Sequence, residues 1–294
     1  MNPFHQLYCR IFQSVLRLAI PFLPYRDPKI LRTVAEVPAE LRQNGVDHVL
    51  LITDGPLYAL GMTEPLERHL AEQNIRCTVY SRTVSNPTIQ NVEEARALYL
   101  KESCGALIGF GGGSAIDCAK AVGARIARPK TPIRSMKGIL RVLRRIPLLI
   151  AVPTTAGTGS EVTLASVITD SESGHKFPIN DFPLIPRVAV LDVENTRSLP
   201  PAMTATTGMD ALTHAVEAYI GHFYNTRETR SLARQAVEAI YRMNRALGIP
   251  ECFPCIRSED LPQMAAWAEA DPVYPVPVTF GKEDFIRMAR RVMP

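Results

Sequence analysis

Residues 106–120 read ALIGFGGGSAIDCAK, a short apolar run followed by three consecutive glycines and a helical pattern. The apolar run is typical of a buried strand, and a helix is predicted from Ser114. Glycines let a backbone approach a phosphate closely, and the free N–H groups at a helix start favour its negative charge. The stretch therefore predicts a strand–loop–helix unit that binds phosphate. A capping box formed by Ser114 and Asp117 is the alternative, although it leaves the three glycines unexplained.

Further apolar runs on both sides of this unit predict a parallel sheet. The other predicted strands are residues 46–53, 76–84, 146–152 and 188–191. Continuous apolar runs are typical of strands that are buried on both faces, and helical patterns lie between them. This alternation predicts a doubly wound α/β domain over residues 1–200. The pattern then becomes helical, so we expect a separate helical domain over residues 201–294.

The composition excludes several classes of protein. Hydrophobic residues make up 46% of the 294 residues and charged residues 21%, which excludes wholesale disorder. No apolar run approaches the length of a membrane span. The net charge is only +4, and the basic segment 125–145 lacks aromatic residues for stacking on bases, so we expect no membrane and no nucleic-acid partner. Six cysteines are too few for a disulfide scaffold and predict a reduced, cytoplasmic protein.

Two more candidate segments follow predicted strands. Residues 153–163 read PTTAGTGSEVT, whose hydroxyl groups and glycines can donate to phosphate or ribose. Asp54 follows strand 46–53, where a carboxylate can accept hydrogen bonds from a ribose diol and repel a 2′-phosphate. Ligands of open α/β sheets bind outside the carboxyl ends of the strands, so we expect one crevice. The alternatives are a tight polar turn at 153–163 and an ordinary Asp-Gly-Pro turn at Asp54.

A third candidate lies in the helical part. Asp210 and His214 stand four residues apart in the predicted helix GMDALTHAVEAYI, residues 208–220. This spacing places a carboxylate and an imidazole on one helix face, as a divalent metal requires. An Asp–His pair without a metal is the alternative.

Together these motifs resemble the iron-containing (group III) alcohol dehydrogenases. The matching segments appear in the family's order from about residue 27 onward: TDGPLYALGM, SNPT, GGGSAIDCAK, PTTAGTGSEVT, HKFPINDFPLIPRVAVLD and LPPAMTATTGMDALTHAVEAYI. The resemblance implies a dinucleotide-binding domain like that of dehydroquinate synthase, followed by a helical metal-binding domain. It implies metal-assisted hydride transfer between NAD and a small-molecule alcohol or aldehyde, and a homo-oligomer.

The resemblance also implies site residues. The implied NAD contacts are Asp54, Asn86, Gly112, Gly113, Ser114, Asp117, Thr154, Thr155, Thr158 and Lys176. An acidic Asp54 favours NAD over NADP. Asp210 and His214 are the implied first two ligands of Fe²⁺ or Zn²⁺, since a mixed oxygen and nitrogen site accepts either metal.

One region departs from the family pattern. The family completes its metal site with two further histidines in later helices, whereas this sequence has no histidine after His222. The segment TRETRSLARQAVEAIY continues directly into RMNRALGIP, which resembles the family's last helices. We therefore predict an internal deletion in the helical domain, with its seam near residues 238–242, and an incomplete metal site. A catalytically impaired nucleotide-binding remnant is the alternative to an active dehydrogenase.

Overall fold

The computed structural model describes residues 17–220, 226–246, 257–269 and 282–290, together with residues 7, 10, 11, 14 and 15. The chain divides into two compact units. One is Pro24–Thr207, and the other contains the described residues of Met1–Leu23 and Gly208–Pro294. The two units divide after residue 207, within the helix Pro201–Ile220. The domain boundary at residue 200 stays a prediction.

The described residues contain nine strands and ten α-helices. The strands are β1 (Lys29–Leu31), β2 (His48–Asp54), β3 (Arg76–Thr83), β4 (Ala106–Gly111), β5 (Gly138–Ile139), β6 (Leu148–Pro153), β7 (Ala165–Thr169), β8 (Lys176–Asn180) and β9 (Val188–Val190). The helices are α1 (Val37–Gln43), α2 (Gly55–Ala59), α3 (Glu64–Glu72), α4 (Ile89–Lys101), α5 (Gly113–Ala127), α6 (Glu194–Arg197), α7 (Pro201–Ile220), α8 (Arg227–Ala246), α9 (Leu261–Glu269) and α10 (Lys282–Arg290).

Six strands form one parallel sheet in the order β1-β9-β6-β4-β2-β3. All six residues of β4 are buried, and β4 lies between β2 and β6. From β2 the chain moves outward to β3 and then returns to the other side of β2 as β4. The order of the strands therefore reverses between β2 and β4, where open α/β sheets bind ligands.

Both faces of this sheet are buried, which confirms the interpretation of the continuous apolar runs. Along β2, Leu50 and Ile52 belong to one hydrophobic cluster, whereas Val49 and Leu51 belong to another. Successive side chains of a strand point to opposite faces, so each face needs its own cover. Helices α4 and α5 contribute to the first cluster, and α1 and α3 to the second. The predicted α/β fold is confirmed.

A second sheet of three strands, in the order β5-β8-β7, is not predicted from the sequence. Strands β7 and β8 pair antiparallel over five residues each, and β5 pairs with β8. Their side chains alternate between buried and exposed, so neither strand has the continuous apolar run that marks the main sheet. Pro178 in β8 also weakens the strand pattern.

The second unit contains the 20-residue helix α8 and the part of α7 from Gly208 onward, as the helical pattern predicts. They pack closely where a Cβ on Gly208 would overlap the side chain of Met243. Helix α8 runs unbroken through residues 238–242, so the deletion stays a prediction. Leu232 is exposed, whereas Ile240 is partly buried. None of the helices in the described part of the chain is long and apolar enough to cross a membrane.

Candidate functional site

The three candidate segments of the α/β unit meet at one edge of the main sheet. Strand β4 pairs in parallel with β2 on one side and with β6 on the other. Asp54 therefore ends a strand beside the glycine loop, and Thr154 follows a strand on its other side. The backbone N–H of Thr154 donates to the carbonyl oxygen of Gly111 at 3.0 Å, which ties the two loops together. The structure brings these segments together as predicted.

The glycine loop leaves backbone donors free at the start of α5. Gly111 has a φ of +145°, and a Cβ there would lie 2.9 Å from the Cβ of Ala115, so only glycine fits. Gly112 is the N-cap residue, and no side chain caps the helix. In this fully described loop, the N–H groups of Gly113 and Ser114 have no hydrogen-bond acceptor. They lie at the positive end of the helix dipole, where an anion is stabilised.

The alternative of a capping box at Ser114 and Asp117 is wrong. The Ser114 hydroxyl accepts a hydrogen bond from the backbone N–H of Asn86 at 3.2 Å, and the Asp117 carboxylate bonds to other segments. A capping box needs both side chains on the backbone of the first turn. The sequence spacing fits a box, but the partners that the tertiary structure offers are different.

Residues 153–163, the second loop, lie directly beside the glycine loop. A Cβ on Gly113 would lie 3.0 Å from the Thr158 side chain, and a Cβ on Gly112 would lie 3.5 Å from the Thr155 side chain. Two threonine side chains therefore flank the bare backbone of the glycine loop. Thr154 differs from them because it is buried, with its backbone bonded to Gly111.

A third group of predicted residues forms a polar cluster at the start of α5. Lys176 on β8 donates from Nζ to Oδ1 of Asn86 at 2.8 Å, and Asn86 donates to Ser114 as above. Asn86 has a φ of +61°, a left-handed conformation that asparagine tolerates better than most residues. The cluster places an exposed ammonium group near the helix start, where it adds to the attraction for an anion.

Asp54 forms the ordinary turn that is one of its two interpretations, and its binding to ribose stays a prediction. Its Oδ1 accepts from the backbone N–H of Leu57 at 2.8 Å and caps α2, as in an ordinary turn. Its Oδ2 lies 3.8 Å from the position of a Cβ on Gly111, so this oxygen faces the glycine loop. The pairing of β2 with β3 shifts register between Ile52 and Asp54. Such bulges often redirect a side chain next to a functional site.

Asp117 holds protein segments together. Its Oδ1 accepts from the hydroxyl of Ser160 at 2.6 Å, and its Oδ2 accepts from the backbone N–H of Val167 at 2.9 Å. Burial raises the pKa of this carboxyl group, and Lys120 and the two hydrogen bonds partly oppose the rise. Both carboxylate oxygens of Asp117 already accept hydrogen bonds from the protein. Direct contact between Asp117 and NAD stays a prediction.

Lys120 is a fully buried charged residue beside these loops that the sequence patterns do not single out. It is 0% exposed, and burial lowers its pKa to about 8. A lysine is almost never fully buried without partners. The sequence does contain a signal that Lys120 is buried. Lys120 stands among the small apolar residues of CAKAVGA at 118–124 and one turn after Asp117.

The predicted metal ligands lie on one face of α7. The carboxylate Oδ1 of Asp210 is 3.9 Å from Nε2 of His214, and both side chains are about half exposed. The spacing therefore places the two side chains together, as predicted. Within the described ranges, no group of three or more histidine, cysteine or acidic side chains is arranged to hold a metal. His222 lies outside the described residues.

Comparison with known proteins decides the family. The family model for iron-containing alcohol dehydrogenase matches residues 31–193, more than half of the chain. The model for the C-terminal part of the Fe-containing alcohol dehydrogenase family matches residues 204–251. The chain belongs to the iron-containing alcohol dehydrogenase family.

Individual members of the family show how much is shared. The probable alcohol dehydrogenase EutG of Salmonella typhimurium is 42% identical over 201 residues, which are 68% of this chain and 50% of that protein. The NAD-dependent methanol dehydrogenase of Bacillus methanolicus is 36% identical over 70% of this chain and 54% of that protein. The chain thus spans about half the length of these curated relatives. A 1,3-propanediol oxidoreductase structure superimposes with a TM-score of 0.79 at 22% identity, covering 92% of this chain and 100% of that one, and shows the shared fold.

We predict that Gly113→Val abolishes nucleotide binding and leaves most of the fold intact. The added Cβ meets Thr158 at 3.0 Å, and the branched side chain covers the free N–H groups at the start of α5. Titration with NAD, followed by calorimetry, measures the loss, and circular dichroism checks the fold. A folded variant that binds NAD as tightly as the parent protein would show that the loop has only a structural role.

Proposed function

We propose that the carboxyl edge of β2, β4 and β6 binds NAD, and that the chain is an oxidoreductase of the iron-containing alcohol dehydrogenase type. The substrate class is a small-molecule alcohol or aldehyde. The observation that carries the proposal is the pair of free N–H groups at Gly113 and Ser114, next to a hydroxyl-bearing loop and at the reversal of strand order. The relative named NAD-dependent methanol dehydrogenase supports the choice of nucleotide.

The pyrophosphate fits the glycine loop. Backbone N–H groups of Gly113 and Ser114 donate to its oxygens, and the helix dipole of α5 stabilises its charge. The hydroxyl groups of Thr155 and Thr158 are further donors within the same loops, and Lys176 contributes a positive charge. The absence of a Cβ at Gly112 and Gly113 leaves the space that the phosphates need.

The adenosine ribose fits Asp54. The free Oδ2 of this carboxylate faces the glycine loop and can accept from a ribose hydroxyl, while Oδ1 remains engaged with Leu57. A 2′-phosphate in the same position would place two negative charges together. We therefore assign NAD, and not NADP, to this crevice.

NAD, when bound, supplies a nicotinamide ring that accepts or donates the hydride. The contribution of the described residues is to hold the nucleotide in one position, since orientation lowers the barrier of a transfer between two bound partners. We propose Asp210 and His214 as ligands for Fe²⁺ or Zn²⁺. Two half-exposed ligands do not complete a catalytic metal site, which takes three or more protein ligands. We therefore assign no step of the reaction to the metal.

A nucleotide-binding protein with impaired catalysis is the alternative, because only two candidate metal ligands lie close together among the described residues. The α/β unit has its own core and its own loops, so we expect NAD binding not to depend on the metal ligands. Cytoplasmic location and homo-oligomeric assembly are also proposals. They rest on the cysteine content, with Cys77, Cys104 and Cys118 free in the structure, and on the family.

We predict that the parent protein binds NAD more tightly than NADP and that Asp54→Asn narrows this difference by about tenfold. Asparagine keeps an oxygen that can cap α2 and removes the charge that faces the ribose. Asp47→Asn, at the exposed amino end of the same strand, is the matched control and should change neither affinity. Equal affinities of the parent protein for the two nucleotides would refute the assignment of Asp54.

A second prediction separates the two candidate functions. From two ligands we expect metal well below one equivalent per chain and negligible oxidation of short primary alcohols. Elemental analysis of the purified chain and an assay of NAD reduction measure both quantities. Near-stoichiometric metal together with robust turnover would contradict this expectation. It would show that other residues, such as His222 or those of a second chain, complete the site.

A further inference from the structure

Lys120 binds the last residue of the second loop and the first residue of β7. Its Nζ donates to the carbonyl oxygen of Thr163 at 2.9 Å, to the hydroxyl of Thr163 at 2.9 Å and to the carbonyl oxygen of Ala165 at 2.7 Å. An ammonium group has three donors, so all three are used. The side chain is 0% exposed and makes these bonds inside the protein.

Asp117 binds the same segment from one turn earlier on α5. Its carboxylate accepts from Ser160 and Val167, and its backbone carbonyl accepts from the hydroxyl of Ser166 at 2.8 Å. We call Asp117 and Lys120, with their bonds to residues 160–167, the α5 clamp. The clamp joins the helix that starts at the glycine loop to the segment that continues from Thr158.

Lys120 is fully buried and Asp117 is partly buried, and two charged groups in such places are a costly way to hold two segments together. Apolar residues of similar size often give equal or greater stability, because they need no desolvation of charge. Charged hydrogen bonds, in contrast, fix direction and distance, so they specify one position of the loop. The clamp therefore contributes more to where the second loop lies than to how stable the unit is.

We propose that Lys120 is a positioning residue for the nucleotide: it holds the second loop at the distance from the glycine loop at which both can contact NAD. This proposal rests on the proposed NAD site, although Lys120 itself does not contact the nucleotide. Its bonds end at Thr163 and Ala165, beyond Thr155 and Thr158 in the chain.

The protonation state of Lys120 gives the proposal a pH signature. The charged groups that face it are Asp117 on α5 and Glu161 on the short 3₁₀ helix Ser160–Val162, and β7 presents only the carbonyl of Ala165. Burial lowers the pKa of Lys120 to about 8. The neutral amine has two donors for three acceptors, and it leaves Asp117 without its positive partner. We therefore expect NAD affinity to fall as the pH rises through about 8.

As the pH rises, the contribution of Lys120 to the free energy of unfolding increases, whereas we expect NAD affinity to decrease. In the unfolded chain a lysine has a pKa of about 10.4, so between about pH 8 and pH 10 the unfolded state binds more protons at this residue. The free energy of unfolding then rises with pH from this group alone. A residue that acted only through stability would therefore not lower NAD affinity in this range.

The test compares Lys120→Met with Lys130→Met, an exposed lysine just beyond the end of α5, in the full chain. NAD affinity is measured from about pH 7 to pH 9.5, on either side of the pKa. We expect Lys120→Met to bind NAD about tenfold more weakly at pH 7 and to lose the alkaline decrease. Lys130→Met should behave like the parent protein. Hydrogen exchange of residues 154–167 should be faster in Lys120→Met alone.

Each other outcome has a defined meaning. Parental affinity and pH dependence in a folded Lys120→Met variant would overturn the proposal. If the parent protein binds no NAD, the proposed function fails. In that case, unchanged hydrogen exchange of residues 154–167 in Lys120→Met would overturn the positioning role independently. If Lys120→Met does not fold, the double variant Asp117→Asn/Lys120→Met removes both charges, and the same criteria apply to it.

Discussion

The positive end of helix α5 lies at the carboxyl edge of the main sheet because three glycines connect it to the central strand β4. Any side chain at Gly111 would collide with Ala115, and side chains at Gly112 or Gly113 would fill the space beside the second loop. The bare backbone leaves free N–H groups between two other strand ends, and parallel pairing fixes those ends next to it. Asp54, the threonines of the second loop and the Asn86–Lys176 contact all acquire their positions from this junction.

The same helix supplies the charges that hold the second loop. Asp117 and Lys120 lie one turn apart on α5 and make their hydrogen bonds to residues 160–167. One helix therefore carries both the clamp and the end that we propose to bind phosphate. The proposed metal ligands Asp210 and His214, in contrast, belong to the second unit. A complete metal site would need further ligands beside this pair.

Sequence patterns predict the parts of this fold that depend on local chemistry. Strands β2, β4 and β6 have continuous apolar runs, whereas β3 is mixed and β9 is short. The predicted crevice follows from the parallel pairing of β4 with β2 and β6. Strands β7 and β8 escape prediction because five alternating residues give a weak signal. The capping box at Ser114 and Asp117 is wrong because spacing alone does not reveal competing tertiary partners. Lys120 escapes because a lysine is expected at the surface, and its three acceptors come from residues more than forty positions away.

The central claim is that the start of α5 binds the pyrophosphate of NAD. A crystal structure of the full chain grown with NAD tests it most directly, because it locates the phosphates without reference to activity or metal content. The account predicts the pyrophosphate within hydrogen-bonding distance of the N–H groups of Gly113 and Ser114, with the adenosine ribose on Asp54. Saturating NAD bound at another place, with these N–H groups left to solvent, would contradict it.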